Sequence, residues 1–158
     1  MTADAATGRG NCAIRRAVAA DRPAVEKLLA AESLPLAGVA DWLHHFWVAE
    51  HGPTLVGVAG MERRAGAALL RSVAVAPAWR GLGVARALVE RALRDLDDAG
   101  AGDAYLLTEG AEAYFSRLGF IPIDRAQAPA ALTASAEFQG ACPASAVLMR
   151  RRGGEQGL

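Results

Sequence analysis

The segment Arg80-Gly81-Leu82-Gly83-Val84-Ala85 constrains this chain more than any other stretch. It stands between an apolar run that stops at Pro77 and an amphipathic run that starts near Gly83. A strand that ends and restarts as a helix leaves a loop whose backbone N–H groups have no helical partner. With the positive end of the helix dipole behind them, such groups make an anion site suited to a pyrophosphate. Gly81 and Gly83 let a ligand approach the main chain with no Cβ in its way, and Arg80 adds a fixed charge at the mouth. A P-loop is excluded, because it needs Gly-Lys-Ser/Thr and Lys27 is the only lysine. A dinucleotide fingerprint fits poorly. It wants a third glycine or alanine where Arg86 stands, and an acidic residue closing the next strand, whereas Asp103 precedes that strand. On the loop alone, an ordinary glycine-rich turn without a ligand stays open.

A length of 158 residues, 53% of them hydrophobic and 22% charged, suits one globular domain with a real core. We expect that domain over residues 13–150, with 1–12 and 151–158 as flexible tails. The formal net charge is zero, which argues against a nucleic-acid partner and against an anionic membrane, since both call for a basic face. Cys12 and Cys142 stand alone, without Cys-x-x-Cys or Cys/His spacing. No metal site is expected from them, and a reducing, cytoplasmic compartment fits. Met1 to Asn11 has no apolar core like that of a signal peptide, and no apolar run approaches the length of a membrane span.

Ala13 to Val18 reads as a short strand, and Asp21-Arg22-Pro23 starts a helix that runs to about Glu32. Ser33 to Asp41 reads as a loop or broken helix, and Trp42 to His45 as a helical turn. Phe46 to Glu50, Thr54 to Arg63 and Ala67 to Val75 read as three strands joined by tight turns, leading straight into the glycine loop. The helix after it runs from Gly83 to Ala99, with Val84, Leu88, Val89, Ala92, Leu93 and Leu96 on one apolar face. Ala104 to Thr108 reads as a buried strand, Ala111 to Leu118 as a short helix, Phe120 to Ile123 as a strand, Pro129 to Ser135 as a helical turn and Ser145 to Arg150 as a last strand. The order predicts an α/β (α+β) fold with one mixed sheet.

The run from Val73 to Ala85 resembles the acetyl-CoA motif of the GNAT N-acetyltransferase superfamily, whose loop pattern Arg/Gln-x-x-Gly-x-Gly/Ala is met by Arg80, Gly83 and Ala85. A second mark is a helix ending in Gly-Phe, matched by Tyr114 to Phe120. More narrowly, Leu69 to Val75, Leu106-Leu107-Thr108 and Cys142 to Ala146 resemble the acetyltransferases of bacterial arsenic resistance operons. The Leu-Leu-Thr segment is also similar to the acetyltransferase domain of N-acetylglutamate synthases. The resemblance implies a mostly antiparallel sheet of about six to seven strands, helices on both faces, and a splay at the acetyl-CoA site. It also implies an acetyl-CoA-dependent N-acetyltransferase acting on a small, amino-acid-like amine, with arsenical or xenobiotic resistance as one setting. The alternatives are a protein or peptide N-acetyltransferase and a non-catalytic CoA-binding module, and a homodimer is an analogy from the fold.

By that resemblance, Val73 and Val75 pair with the cofactor through the main chain, and Arg80, Gly81, Leu82, Gly83, Val84 and Ala85 wrap its pyrophosphate. Glu62, near the end of its strand, is the candidate base that takes the amine's proton directly or through water, with Glu109 as the competitor. The family's general acid is a tyrosine four residues before the Gly of Gly-Phe. Phe115 stands there, and Tyr114 is one helical step away, rotated by about 100°. For the acceptor, the planar fork of Arg71 suits a carboxylate, with Ser72 and Thr108 as hydrogen-bonding partners. Strand alternation sends Arg71 to the face opposite Leu70 and Ser72.

Overall fold

The computed structural model describes residues 12–154. Seven strands form one sheet: β1 (Ala13–Arg16), β2 (Trp47–His51), β3 (Thr54–Arg64), β4 (Ala67–Val75), β5 (Asp103–Thr108), β6 (Ile121–Ile123) and β7 (Val147–Arg151). Their order is β1-β2-β3-β4-β5-β7-β6, an open sheet with β1 and β6 at its ends. The helices are α1 (Arg22–Ala31), α2 (Val39–Trp42), α3 (Val84–Asp98), α4 (Glu112–Ser116) and α5 (Ala130–Thr133). The pairs β1–β2, β2–β3, β5–β7 and β6–β7 are antiparallel, and β4–β5 is parallel. The sheet is therefore mixed and mostly antiparallel, as the resemblance implied.

The described chain divides into two units, 12–60 with 72–92, and 61–71 with 93–154, so β3, β4 and α3 each contribute to both. In the first unit the core gathers Val25 and Leu29 of α1 with Val39, Leu43, Phe46, Val48, Val58 and Ala74. Gly57 is where α3 comes down on β3: a Cβ there would stand 2.9 Å from Leu88 Cδ1 and 3.1 Å from Val84 Cγ1. Arg16 and Arg91 each place a guanidinium over the Trp47 ring, 4.5 and 4.6 Å from its centroid. Such a contact contributes about 0.5–2 kcal/mol as it loses water. In the second unit Ala67, Leu69, Tyr105, Leu132 and Leu148 form a separate core, with Leu107, Ile123 and Phe138 packed on it.

The apolar stripe expected of α3 is the one that is buried: Val84, Leu88, Val89, Ala92, Leu93 and Leu96, with Glu90 and Arg94 exposed. Each of its valines and leucines contributes roughly 1.5–3 kcal/mol. Most element boundaries move by one or two residues. The last strand runs to Arg151, one residue past the expected end, because Arg151 Nη2 reaches Asp97 at 2.9 Å and the Gly153 N–H donates to Asp103 Oδ1 at 3.0 Å. The loop after α1 closes into α2 at Val39.

One residue of β4 departs from regular strand geometry. Ser72 has φ +57, a left-handed conformation that a non-glycine residue adopts at a cost of about 1–3 kcal/mol. The pleat is broken at that residue, and Leu70, Arg71 and Ser72 are all buried. The parallel register of β4 with β5 covers Ala67–Leu69 against Asp103–Tyr105; β4 itself continues to Val75.

Candidate active site

Two clusters of chemistry stand out, one in each unit. In the first, β4 ends in a single 3-10 turn, Pro77–Trp79, and Arg80 follows with extended backbone. Gly81 (φ +77) and Gly83 (φ +84) are both left-handed, and a Cβ at either would meet nothing within 4 Å. The glycines therefore serve the loop's backbone shape, and the space above them is open. Gly83 O accepts the first bond of α3, from Ala87 N at 3.0 Å, so the N–H groups of the first helical turn have no acceptor inside the helix. Beside this loop lies a cavity of about 410 Å³ lined by Glu32, Leu34, Val73, Ala74, Val75, Arg80 and Ala85. That is a volume typical of small-molecule sites. Arg80 folds back along the end of β4: its Nε donates to Val75 O at 3.3 Å and its Nη2 to the Glu32 carboxylate. Arg86 is exposed and paired with Glu90 at 2.9 Å.

The second cluster is a buried ion network. Arg71 is 3% exposed and Glu62 is 1% exposed. Arg71 Nη1 donates to Glu62 Oε2 at 2.7 Å, and its Nε lies 3.4 Å from Glu137 Oε2. Arg64 donates twice to Glu62 Oε1, from Nε at 2.9 Å and Nη2 at 2.8 Å. The Ser135 hydroxyl donates to Glu62 Oε2 at 3.1 Å and accepts from Glu137 N at 3.2 Å. Ser135 and Glu137 come from the segment after α5, where a π-helical turn, Glu137–Ala141, closes on left-handed Gly140. Taking ions out of water costs several kcal/mol each, and only such dense pairing offsets it. Burial pushes the Glu137 carboxyl above the usual carboxylate range, against the pull of Arg71. The Cys142 thiol donates to Glu137 Oε1 at 3.3 Å, and burial together with that neighbouring carboxylate raises it to about 12. Cys142 is thus a protonated thiol at neutral pH.

Thr108 closes β5 opposite Val147. Glu109 is not part of the ion network; its carboxylate takes the Ser145 hydroxyl. Phe115 packs edge-to-face on Phe120 with ring centroids 5.9 Å apart, and Tyr114 packs on Phe115 at 5.1 Å.

A family model for the acetyltransferase (GNAT) domain matches residues 42–122, just over half of the chain. The chain belongs to the GNAT acetyltransferase family. Acetyl-CoA is the acyl donor of that family, and the open glycine loop, the cavity on the β4 edge and Arg80 fit its diphosphate and its extended arm. No curated protein matches the sequence. Among solved structures, Mycobacterium tuberculosis Rv2747, in a complex with CoA, is 24% identical. The alignment covers 89% of this chain and 98% of that one, with a TM-score of 0.73. The N-acetylglutamate synthase of Neisseria gonorrhoeae, complexed with coenzyme A and N-acetyl-glutamate, is 19% identical over 89% of this chain and 35% of its own, with a TM-score of 0.76. The ribosomal-protein-S18-alanine N-acetyltransferase of Escherichia coli is 19% identical over 90% and 94%, with a TM-score of 0.67. At these identities the likeness is one of fold.

In this GNAT acetyltransferase the predicted cofactor residues Val73, Val75, Arg80 and Ala85 line one cavity, and Gly81, Leu82, Gly83 and Val84 complete the loop beside it. Glu62 and Arg71, predicted for separate roles, are ion-paired to each other. Sequence reasoning missed Glu32, Arg64, Ser135 and Glu137. Glu32 had a signal, a carboxylate at the unfavourable end of a helix; Glu137 and Ser135 had none, because long-range folding supplies their partners. No described helix is long and apolar enough to cross a membrane.

Proposed function

We propose that this acetyltransferase acetylates the amine of a small, amino-acid-like acceptor, and that Arg71 receives the acceptor's carboxylate. One observation carries the reading. Arg71 is a buried guanidinium held tightly by Glu62 at 2.7 Å but loosely by Glu137 at 3.4 Å, and burial pushes Glu137 toward its neutral form. An incoming carboxylate can therefore take Glu137's place at lower cost than Glu62's. Ser72 and Thr108 are proposed as further hydrogen-bonding partners of the acceptor.

Val73 and Val75 would hold the cofactor's arm through their main chain, and residues 80–85 its diphosphate. Each charge-assisted amide contact contributes on the order of 1.5–3 kcal/mol. Glu62 is proposed to accept the amine's proton, directly or through water. Of its contacts, the Ser135 hydroxyl at 3.1 Å is the neutral one and the least costly to exchange. Acetyl-CoA would supply the acyl group as a thioester, and a leaving group that departs as thiolate, its conjugate thiol having a pKa near the free value of about 8.5, would need no acid from the protein. That accords with Phe115 standing, packed, where the family's tyrosine would be.

Release of CoA thiol with a panel of acceptors tests this reading: free amino acids, arsenical and phosphinic amino-acid analogues, and alanine-initiated peptides. Turnover of free amino-acid-like acceptors, with KM raised in Arg71→Lys, is the expected result. Turnover confined to peptides would overturn it in favour of protein acetylation, the activity named for the E. coli neighbour.

A further inference from the structure

We infer that Glu32 sets the enzyme's affinity for its acyl-CoA. It is an internal anion that holds Arg80 until a diphosphate replaces it, and it recaptures Arg80 as CoA departs. The inference rests on the cofactor reading of the glycine loop.

Glu32 caps the C-terminal end of α1, where its N–H bonds Leu28 O and Leu29 O at 3.2 and 3.1 Å. The helix end fixes its backbone, and a carboxylate at that position faces the negative pole of the helix. Local structure therefore gives no reason for an acid here, and its favourable partner is Arg80. Both residues line the cavity shared by Val73, Val75 and Ala85, so this ion pair sits on the surface that a diphosphate must approach. Arg80 is free to respond. Its side chain is about half exposed, and its other anchor is a 3.3 Å contact with Val75 O. The loop's second arginine, Arg86, is likewise matched, by Glu90. With both guanidiniums matched by carboxylates, the loop meets a dianion with amides and helix dipole, while Glu32 opposes it. A diphosphate gains Arg80 only by displacing Glu32, so affinity is held down and product CoA is released faster.

Calorimetric titration and stopped-flow dissociation of CoA test this with Glu32→Gln, Arg80→Met and the double variant. E32Q should bind CoA about fivefold more tightly, the upper range for a partly exposed pair, through a slower off-rate. The gain should fall below about twofold in the R80M background and shrink at high salt, which screens such pairs. Unchanged or weaker binding by E32Q, or an equal gain without Arg80, overturns the inference. If E32Q does not fold, Glu32→Asp, which withdraws the carboxylate by one methylene, takes its place with the same expectation. Two failures stay distinct. If R80M and a Gly83→Val variant leave CoA binding untouched, the loop reading itself falls. If they weaken binding while removal of Glu32 does nothing, the role of Glu32 alone falls.

Discussion

Gly83 has φ +84 with open space where a Cβ would point, so replacing it separates ligand binding from folding. A bulky residue there pays the left-handed penalty of about 1–2 kcal/mol but meets no neighbour. Gly83→Val should therefore unfold cooperatively in urea with only that loss, while calorimetry shows acetyl-CoA affinity reduced at least about tenfold, one lost charge-assisted contact. Glu62 behaves in the opposite way. Removing its charge takes from the buried Arg71 its nearest carboxylate, at 2.7 Å, and from the partly buried Arg64 the carboxylate it donates to twice, so Glu62→Gln should cost about 3–5 kcal/mol in chemical denaturation, whatever it does to turnover. Glu137 gives a prediction in pH. Its folded pKa lies above the unfolded value of 4.5. The native state therefore binds the extra proton, and stability falls as pH rises from 4.5 through the folded value. Glu137→Gln lacks this titration, so its stability relative to the parent should be higher at pH 8 than at pH 5 in paired urea melts. These residues differ in how far the chain announced them. The loop glycines were legible because their demand is local. The surroundings of Arg71 were not, because Glu137 and Ser135 reach it from a distant segment.

At the scale of elements, two glycines of β3 show how closely the first unit is packed. A Cβ at Gly60 would lie 2.3 Å from Phe46 Cζ, the tip of a fully buried ring. At Gly57 it would meet the movable end of Leu88. Overpacking a rigid ring costs more than displacing a flexible tip. Gly60→Ala should thus lose about 3 kcal/mol or more, and Gly57→Ala about 1 kcal/mol, compared by denaturant midpoints. The strand and helix positions themselves were readable from period and punctuation. β4 was expected over Ala67 to Val75 and lies there, and α3 buries its expected stripe. The left-handed turn at Ser72 was not readable, because serine carries no mark for that conformation.

For the whole molecule, cofactor binding and folding are linked. A ligand that binds only the native state stabilises it by RT ln(1 + [L]/Kd), about 2.7 kcal/mol at a hundredfold excess over Kd. Acetyl-CoA should therefore raise the thermal midpoint by several degrees in calorimetry, and Arg80→Met should lose much of the rise at the same concentration. A midpoint that ignores acetyl-CoA would contradict cofactor binding at the loop. By itself, the sequence determined the element order, the buried stripe of α3 and the glycine loop ahead of it, because period, capping and glycine placement act over a few neighbouring residues. Only the tertiary structure decided that Arg71 is an interior cation between Glu62 and Glu137, and that Arg80 is matched by Glu32. Which charges meet depends on how distant segments pack and lose water, and no local pattern in the chain encodes that.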